Sequence, residues 1–139
     1  MKFLLDTNVC IKILKGNSQS ISQKIETIDL RDIVIPSIVR YELFYGAYKS
    51  NKKEETLIIL KEFLGCFSDA AFDMYISDVC GKIRADLDKA GTPIGPYDLQ
   101  IGAIALANNY TLVTNNKREF SRIADLIIVD WEENPHVQK

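Results

Sequence analysis

Histidine is nearly absent: among 139 residues there is one, His136, close to the carboxyl end. Chemistry built on paired imidazoles, or a zinc site made of them, therefore has no material to work with. Cysteine is scarce too. Cys10, Cys66 and Cys80 are odd in number, far apart and free of Cys-x-x-Cys spacing, so neither a disulfide framework nor a thiolate zinc site is expected, and all three read as core thiols. No apolar run approaches the roughly 20 residues needed to cross a bilayer. The start "MKFLLDTNVC" lacks the apolar stretch and small-residue cleavage site of a signal peptide, so a cytoplasmic location is expected. Positive charge is not in excess. A net charge of -2 argues against coating nucleic acid by bulk electrostatics, though it leaves room for a local basic rim around an acidic centre.

An apolar share of 47% and a charged share of 26% place the chain among globular proteins, and its length fits a single domain spanning residues 1–139. No repeat, linker or low-complexity tract interrupts it. Strand-like and helix-like segments alternate, which predicts an α/β domain with a mostly parallel sheet. "KFLL", "DIVIP", "YTLVT" and "LIIVD" read as strands. "TNVCIKILK", closed by Gly16, reads as a helix, as do "ISQKIETID", "SIVRYELFYGAYKS" with Ser37 as N-cap, and "KKEETLIILKEFL". In "FDMYISDVCGKIRADLDKAG", Phe72, Tyr75, Ile76, Val79, Cys80, Ile83 and Leu87 recur at helical spacing, predicting one core-facing stripe. Pro96 suits the first position of the helix "PYDLQIGAIALANN". "NNKREFSRI" reads as a loop and short helix, and residues 134–139, with His136, as a frayed tail.

Four acids stand out. Asp6 ends an apolar strand and precedes a helix, so it suits an N-cap, but Val9 stands where a capping box would place Glu or Gln. Glu42 lies among Ile38, Val39, Tyr45 and Gly46, an apolar face on which an inward acid needs a cation, and Arg40 is too close in sequence to share that face. Asp98 occupies the first turn after Pro96, favourable for the helix dipole, with Ile101, Gly102 and Ala105 below it. Glu119 follows "TLVT" and is individually the least distinctive. In open parallel sheets the functional crevice lies beyond the carboxyl ends of the strands, where strand order reverses. If "KFLL" and "TLVT" are neighbours, Asp6, Asp98 and Glu119 converge. Two unit charges about 4 Å apart repel by roughly 4 kcal/mol at an effective dielectric near 20, so such a group calls for a neutralising cation. All-oxygen ligands suit Mg²⁺ or Mn²⁺.

"LLDTN", "SIVRYELFYGA", "IRADLDKAGTPIGPYDLQIGAIALANNYTLVTNNKREFSRI" and "IVDW" together resemble the PIN-domain ribonuclease toxins of the VapC type, in order and over essentially the whole chain. The resemblance implies a PIN fold, a five-stranded parallel sheet flanked by helices. It places the metal-binding acids on Asp6, Glu42 and Asp98, the fourth acidic position on Glu119, and supporting polar residues on Thr7, Asn8, Thr114 and Asn116. It implies a Mg²⁺-dependent endoribonuclease cutting structured RNA, commonly tRNA, to a 5′-phosphate and a 3′-hydroxyl, silenced by a cognate antitoxin and homodimeric. Tyr41, Phe44, Tyr45 and Tyr48 make their helix apolar nearly all round, which also suits an interface. Lys82, Arg84, Lys89, Lys117, Arg118 and Arg122 flank the acids and are candidates for a basic rim, with Arg84, Lys117 and Arg118 foremost as RNA contacts. Two rivals remain. An α/β phosphatase would use Asp6 as nucleophile, but Thr7-Asn8 supplies no second aspartate. A non-catalytic PIN-like RNA-binding module would need a dead site, whereas all four acidic positions are occupied.

Overall fold

A computed structural model describes residues 1–133; the expected frayed tail and His136 lie outside the described residues. The elements run β1 (Phe3–Leu5), α1 (Thr7–Lys15), α2 (Gln19–Glu26), a 3₁₀ turn (Leu30–Asp32), β2 (Ile33–Val34), α3 (Ser37–Lys49), α4 (Lys53–Leu64), α5 (Met74–Ala90), α6 (Pro96–Asn108), β3 (Thr111–Val113), α7 (Lys117–Phe120) and β4 (Ile128–Val129). Among the described residues no helix is long and apolar enough to span a membrane.

The strands are short and β-branched or leucine-rich, as expected of strands covered on both faces. Leu4, Leu5, Leu112 and Val113 are fully buried. All pairings are parallel, in the order β2-β1-β3-β4. The register sets Leu4 against Val34 on one side and Leu112 on the other. Strand order thus reverses between β1 and β3, and the condition for the acids to converge is met. Four strands stand in the sheet among the described residues. Beside it, a further segment follows the β2 edge: Val34 bridges Ser68 in parallel, and the Ser68 carbonyl accepts from the Ile35 N–H at 2.9 Å.

Several local readings need correction. Ser37 is the first helical residue of α3 and Pro36 is the cap; the Ser37 hydroxyl instead donates to the Asp69 carboxylate at 2.8 Å. The stripe on α5 consists of Ile76, Cys80, Ile83 and Leu87, with Val79 half-buried beside it. Phe72 precedes the helix, whose cap is Asp73, and Tyr75 is one position off the buried stripe and 65% exposed. Cys10 and Cys80 are buried, but Cys66 is exposed in the turn after α4. Gly16 does close α1 in the left-handed conformation, at φ 63°, its N–H returning to Lys12 and Ile13 carbonyls. Gly102 lets α6 approach the chain that follows α7 closely: a Cβ there would meet Ile123 Cδ1 at 2.5 Å.

Candidate active site

The region beyond β1 and β3 is built from six elements: those two strands and α1, α3, α6 and α7. The Asp6 N–H donates to the Val113 carbonyl at 3.2 Å, which ties the end of β1 to β3. The Asp6 side chain then caps α1, its Oδ1 accepting from the Val9 N–H at 2.9 Å. Capping occupies one oxygen of a residue only 6% exposed. Burial holds its carboxyl above the usual range; the Thr114 hydroxyl and the Val9 N–H pull the other way, and the charge of Glu42 adds to the rise.

Glu42 reaches the crevice from α3, where Thr7 Oγ1 donates to its Oε1 at 2.9 Å. Asp98 reaches it from the first turn of α6, set by Pro96 at the helix start. Glu119 comes from α7. Asn116 joins these last two, its Nδ2 donating to Glu119 Oε2 at 3.3 Å and to Asp98 Oδ2 at 3.5 Å. Thr114, fully buried at the end of β3, accepts from the Asn116 N–H at 3.0 Å and so fixes the turn that carries Asn116. Burial first, then the charges of Glu119, Asp6 and Glu42, push the Asp98 carboxyl up to about 6. The four acids therefore feel one another electrostatically.

Thr7 and Asn116 hydrogen-bond the site acids, and Thr114 holds the Asn116 N–H. Asn8 is exposed on α1 and has no side-chain partner among the described residues. Of the flanking cations, Lys82 pairs with Asp86, Lys117 with Glu133, and Arg122 donates to the Pro93 carbonyl. Arg84 and Arg118 are exposed on α5 and α7. No Lys or Arg lies within ion-pair distance of Asp6, Glu42, Asp98 or Glu119 among the described residues.

That donor set fits a hard divalent cation. It is all oxygen, it has excess negative charge, and part of it is buried at energetic cost. As placed, no three such side chains among the described residues stand close enough to hold one ion together. The carboxylates instead divide between the Thr7–Glu42 and Asp98–Asn116–Glu119 pairings, with Asp6 acting electrostatically on both Asp98 and Glu42.

The Asp98 environment has a consequence for stability. Its carboxyl titrates higher in the folded chain, near 6, than in the unfolded one, near 3.8. Between those values the folded state holds the extra proton, so stability falls as pH rises through this window and is lowest above it. Asp6 shifts in the same direction. Discounted for the partial exposure of Asp98, the effect is about 1–2 kcal/mol. Metal-free protein is expected to melt roughly 3–6 °C higher at pH 5 than at pH 7.5, the difference shrinking in Asp98→Asn. Equal melting of wild type and Asp98→Asn across that range, followed by circular dichroism, would remove the coupling.

Sequence reasoning names Arg40 only as unable to pair with Glu42 and Tyr41 only as part of an apolar face, and it does not single out Tyr97. Arg40 binds backbone carbonyls; the two tyrosines each adjoin a site acid in sequence, a signal available but not used. Lys12, whose charge reaches Asp6, is paired with Glu132, which also accepts from Ser18.

A parallel α/β sheet with a polar, acid-lined crevice at its topological switch point defines the class of protein. The PIN-domain family model matches residues 3–126. Over 131 residues the chain is 38% identical to the tRNA(fMet)-specific endonuclease VapC of Salmonella typhimurium, covering 94% of this chain and 98% of that one. It is also 38% identical over 133 residues to Ribonuclease VapC2 of Rickettsia felis, covering 95% and 99%. Among solved structures, the DNA-bound VapBC of Salmonella typhimurium superposes with a TM-score of 0.88 at 38% identity, over 94% of this chain and 98% of that chain. VapBC-1 of nontypeable Haemophilus influenzae superposes with 0.86 at 32%, over 96% and 100%. The chain belongs to the PIN-domain family and, within it, to the VapC ribonucleases.

Proposed function

We propose that the protein is a Mg²⁺-dependent endoribonuclease, the toxin of a toxin–antitoxin pair, acting on structured RNA and specifically on tRNA. The observation that carries this reading is the electrostatic coupling of Asp6, Glu42, Asp98 and Glu119 around the ends of β1 and β3, with no Lys or Arg in ion-pair distance of them among the described residues. The name of the Salmonella typhimurium relative supports tRNA as the substrate class.

Asp6, Glu42 and Asp98 would hold the cation, with Glu119 assisting through a water. Bound there, Mg²⁺ would supply activation of a water as nucleophile and neutralisation of the charge that builds on the scissile phosphate. The chain supplies the geometry. Val9 fixes the Asp6 carboxylate, Thr7 fixes Glu42, and Asn116 sets Asp98 against Glu119. The elevated Asp98 pKa means that a cation would compete with a proton for that carboxylate, so affinity for Mg²⁺ would rise with pH through about 6. Incubation of total tRNA with wild type and Asp98→Asn in Mg²⁺ tests the assignment. Cleavage by wild type alone is expected; equal cleavage by both would overturn it.

The remaining surface fits the same reading. Tyr45 and Tyr48 are 58% and 59% exposed on α3, a face suited to a homodimer, which light scattering at micromolar concentration checks against a strictly monomeric species. The VapBC complexes among the solved relatives support a cognate antitoxin, whose cationic segment would enter the acidic crevice. A cytoplasmic location follows from this assignment. Arg84, Lys117 and Arg118 remain the proposed RNA contacts, with Lys117 first leaving Glu133.

A further inference from the structure

At the mouth of the acid site the rings of Tyr41, on α3, and Tyr97, on α6, meet edge to face. Their centroids are 6.0 Å apart, their planes 64° apart, and their hydroxyls 3.4 Å apart. Each directly adjoins a site carboxylate in sequence, Glu42 and Asp98. Yet Tyr41 is 52% and Tyr97 43% exposed. The contact ties α3 to α6 while leaving much of both rings bare.

A substrate for this site has to be held by a chain of net charge -2, at a crevice lined with acids. Phosphate contacts rest mainly on Arg84 and Arg118, since Lys82, Lys117 and Arg122 are already engaged by protein groups. Base stacking has no such requirement. Every nucleobase offers a π face, and an exposed aromatic ring binds it without positive charge. We propose that Tyr41 and Tyr97 form a platform that stacks an unpaired nucleobase of the RNA beside the scissile phosphate. The proposal rests on the nuclease reading above and deepens it: the preferred target is a loop or bulge, where a base is free to leave its own stack. The two tyrosines are positioning residues, since neither supplies a reacting group.

The test compares wild type, Tyr41→Ala/Tyr97→Ala and Tyr41→Phe/Tyr97→Phe on total tRNA. Cleavage is followed in Mg²⁺, and binding of fluorescently labelled total tRNA is followed in chelator at two salt concentrations. The alanine pair is expected to raise KM and Kd by about 5- to 100-fold, the span of one lost stacking contact. Its kcat should stay within about threefold of wild type and the salt dependence of Kd should be unchanged, because no phosphate contact is lost. The phenylalanine pair keeps both rings and should behave as wild type. An unchanged KM in the alanine pair, a fall in kcat alone, a shallower salt dependence, or equal impairment of the phenylalanine pair would each overturn the platform. So would dissociation of a dimer by the alanine pair without a change in tRNA affinity. Tyrosine-dependent binding by a wild type that cleaves nothing would support the platform and overturn the nuclease reading alone.

Discussion

Replacing Asp6 by asparagine is expected to reduce RNA cleavage by about a thousandfold or more, the several kcal/mol that a lost cation site costs the transition state. The fold should survive the change. Asp6 has two roles that the substitution separates. As N-cap of α1 it needs only an oxygen that accepts from the Val9 N–H, which an asparagine amide provides. As a buried acid it supplies negative charge in a place where charge is costly, which asparagine does not. Asp6→Ala removes both the charge and the cap, so it should be equally inactive and less stable than Asp6→Asn by about 1 kcal/mol, or roughly 3 °C in melting temperature. Thermal melts and tRNA cleavage measured on the same two preparations check both halves. Near-wild-type cleavage by Asp6→Asn would mean that the residue is a cap and nothing more.

Arg40→Ala should show the opposite pattern, a large loss of stability with little change in kcat. The Arg40 guanidinium donates to the Ile35 carbonyl at 2.8 Å, Phe67 at 3.0 Å, Ser68 at 3.1 Å and Leu64 at 3.3 Å, with Asp69 at 3.6 Å. It thereby fastens the end of α4 and the segment along the β2 edge to α3. Truncation takes the Arg40 donor from the Ile35 and Phe67 carbonyls, while those of Ser68 and Leu64 keep bonds from the Ile35 and Phe67 N–H groups. Hydrogen bonds from a charged donor contribute about 1.5–3 kcal/mol each, and some of these groups retain access to water, so a total near 3 kcal/mol is expected. For a domain of this size that lowers the melting temperature by roughly 10 °C. Arg40→Lys should recover only part of it, because an ammonium lacks the planar fork that spans carbonyls from two directions. Melting within about 2 °C of wild type for Arg40→Ala would show that the carbonyls find water instead.

How far the sequence reached is clear from these two residues. Asp6 was legible because its signal is local: an apolar run ending on an acid, followed by helical spacing. The topological rule then brought Asp98 and Glu119 beside it, and the pairing of β1 with β3 meets its condition. Glu42 was legible from its apolar helical face, and the Thr7 hydroxyl is what receives it. Arg40 was legible only as a residue unable to pair with Glu42. Its partners lie up to 28 residues away and are backbone atoms, which carry no residue-type signature. The Lys12–Glu132 pair spans 120 positions and is invisible to any periodicity. Tyr75 and Phe72 fall off the stripe for simpler reasons: Phe72 precedes the Asp73 cap and so lies outside the helix, and Tyr75 lies within it one position off the buried face. Cys66 was assigned to the core on residue type alone, whereas its position in a turn exposes it. Tyr41 and Tyr97 matter as a pair, and only the packing of α3 against α6 makes them one.

The chemistry of the cut ends tests the central claim most directly. Total tRNA is incubated with wild-type protein in Mg²⁺, with and without excess chelator, and the termini of the fragments are determined. Water activated at an acidic cation site yields a 5′-phosphate and a 3′-hydroxyl, and chelation abolishes the fragments. Cleavage that persists in chelator, or fragments ending in a 2′,3′-cyclic phosphate, would contradict a mechanism centred on Asp6, Glu42 and Asp98.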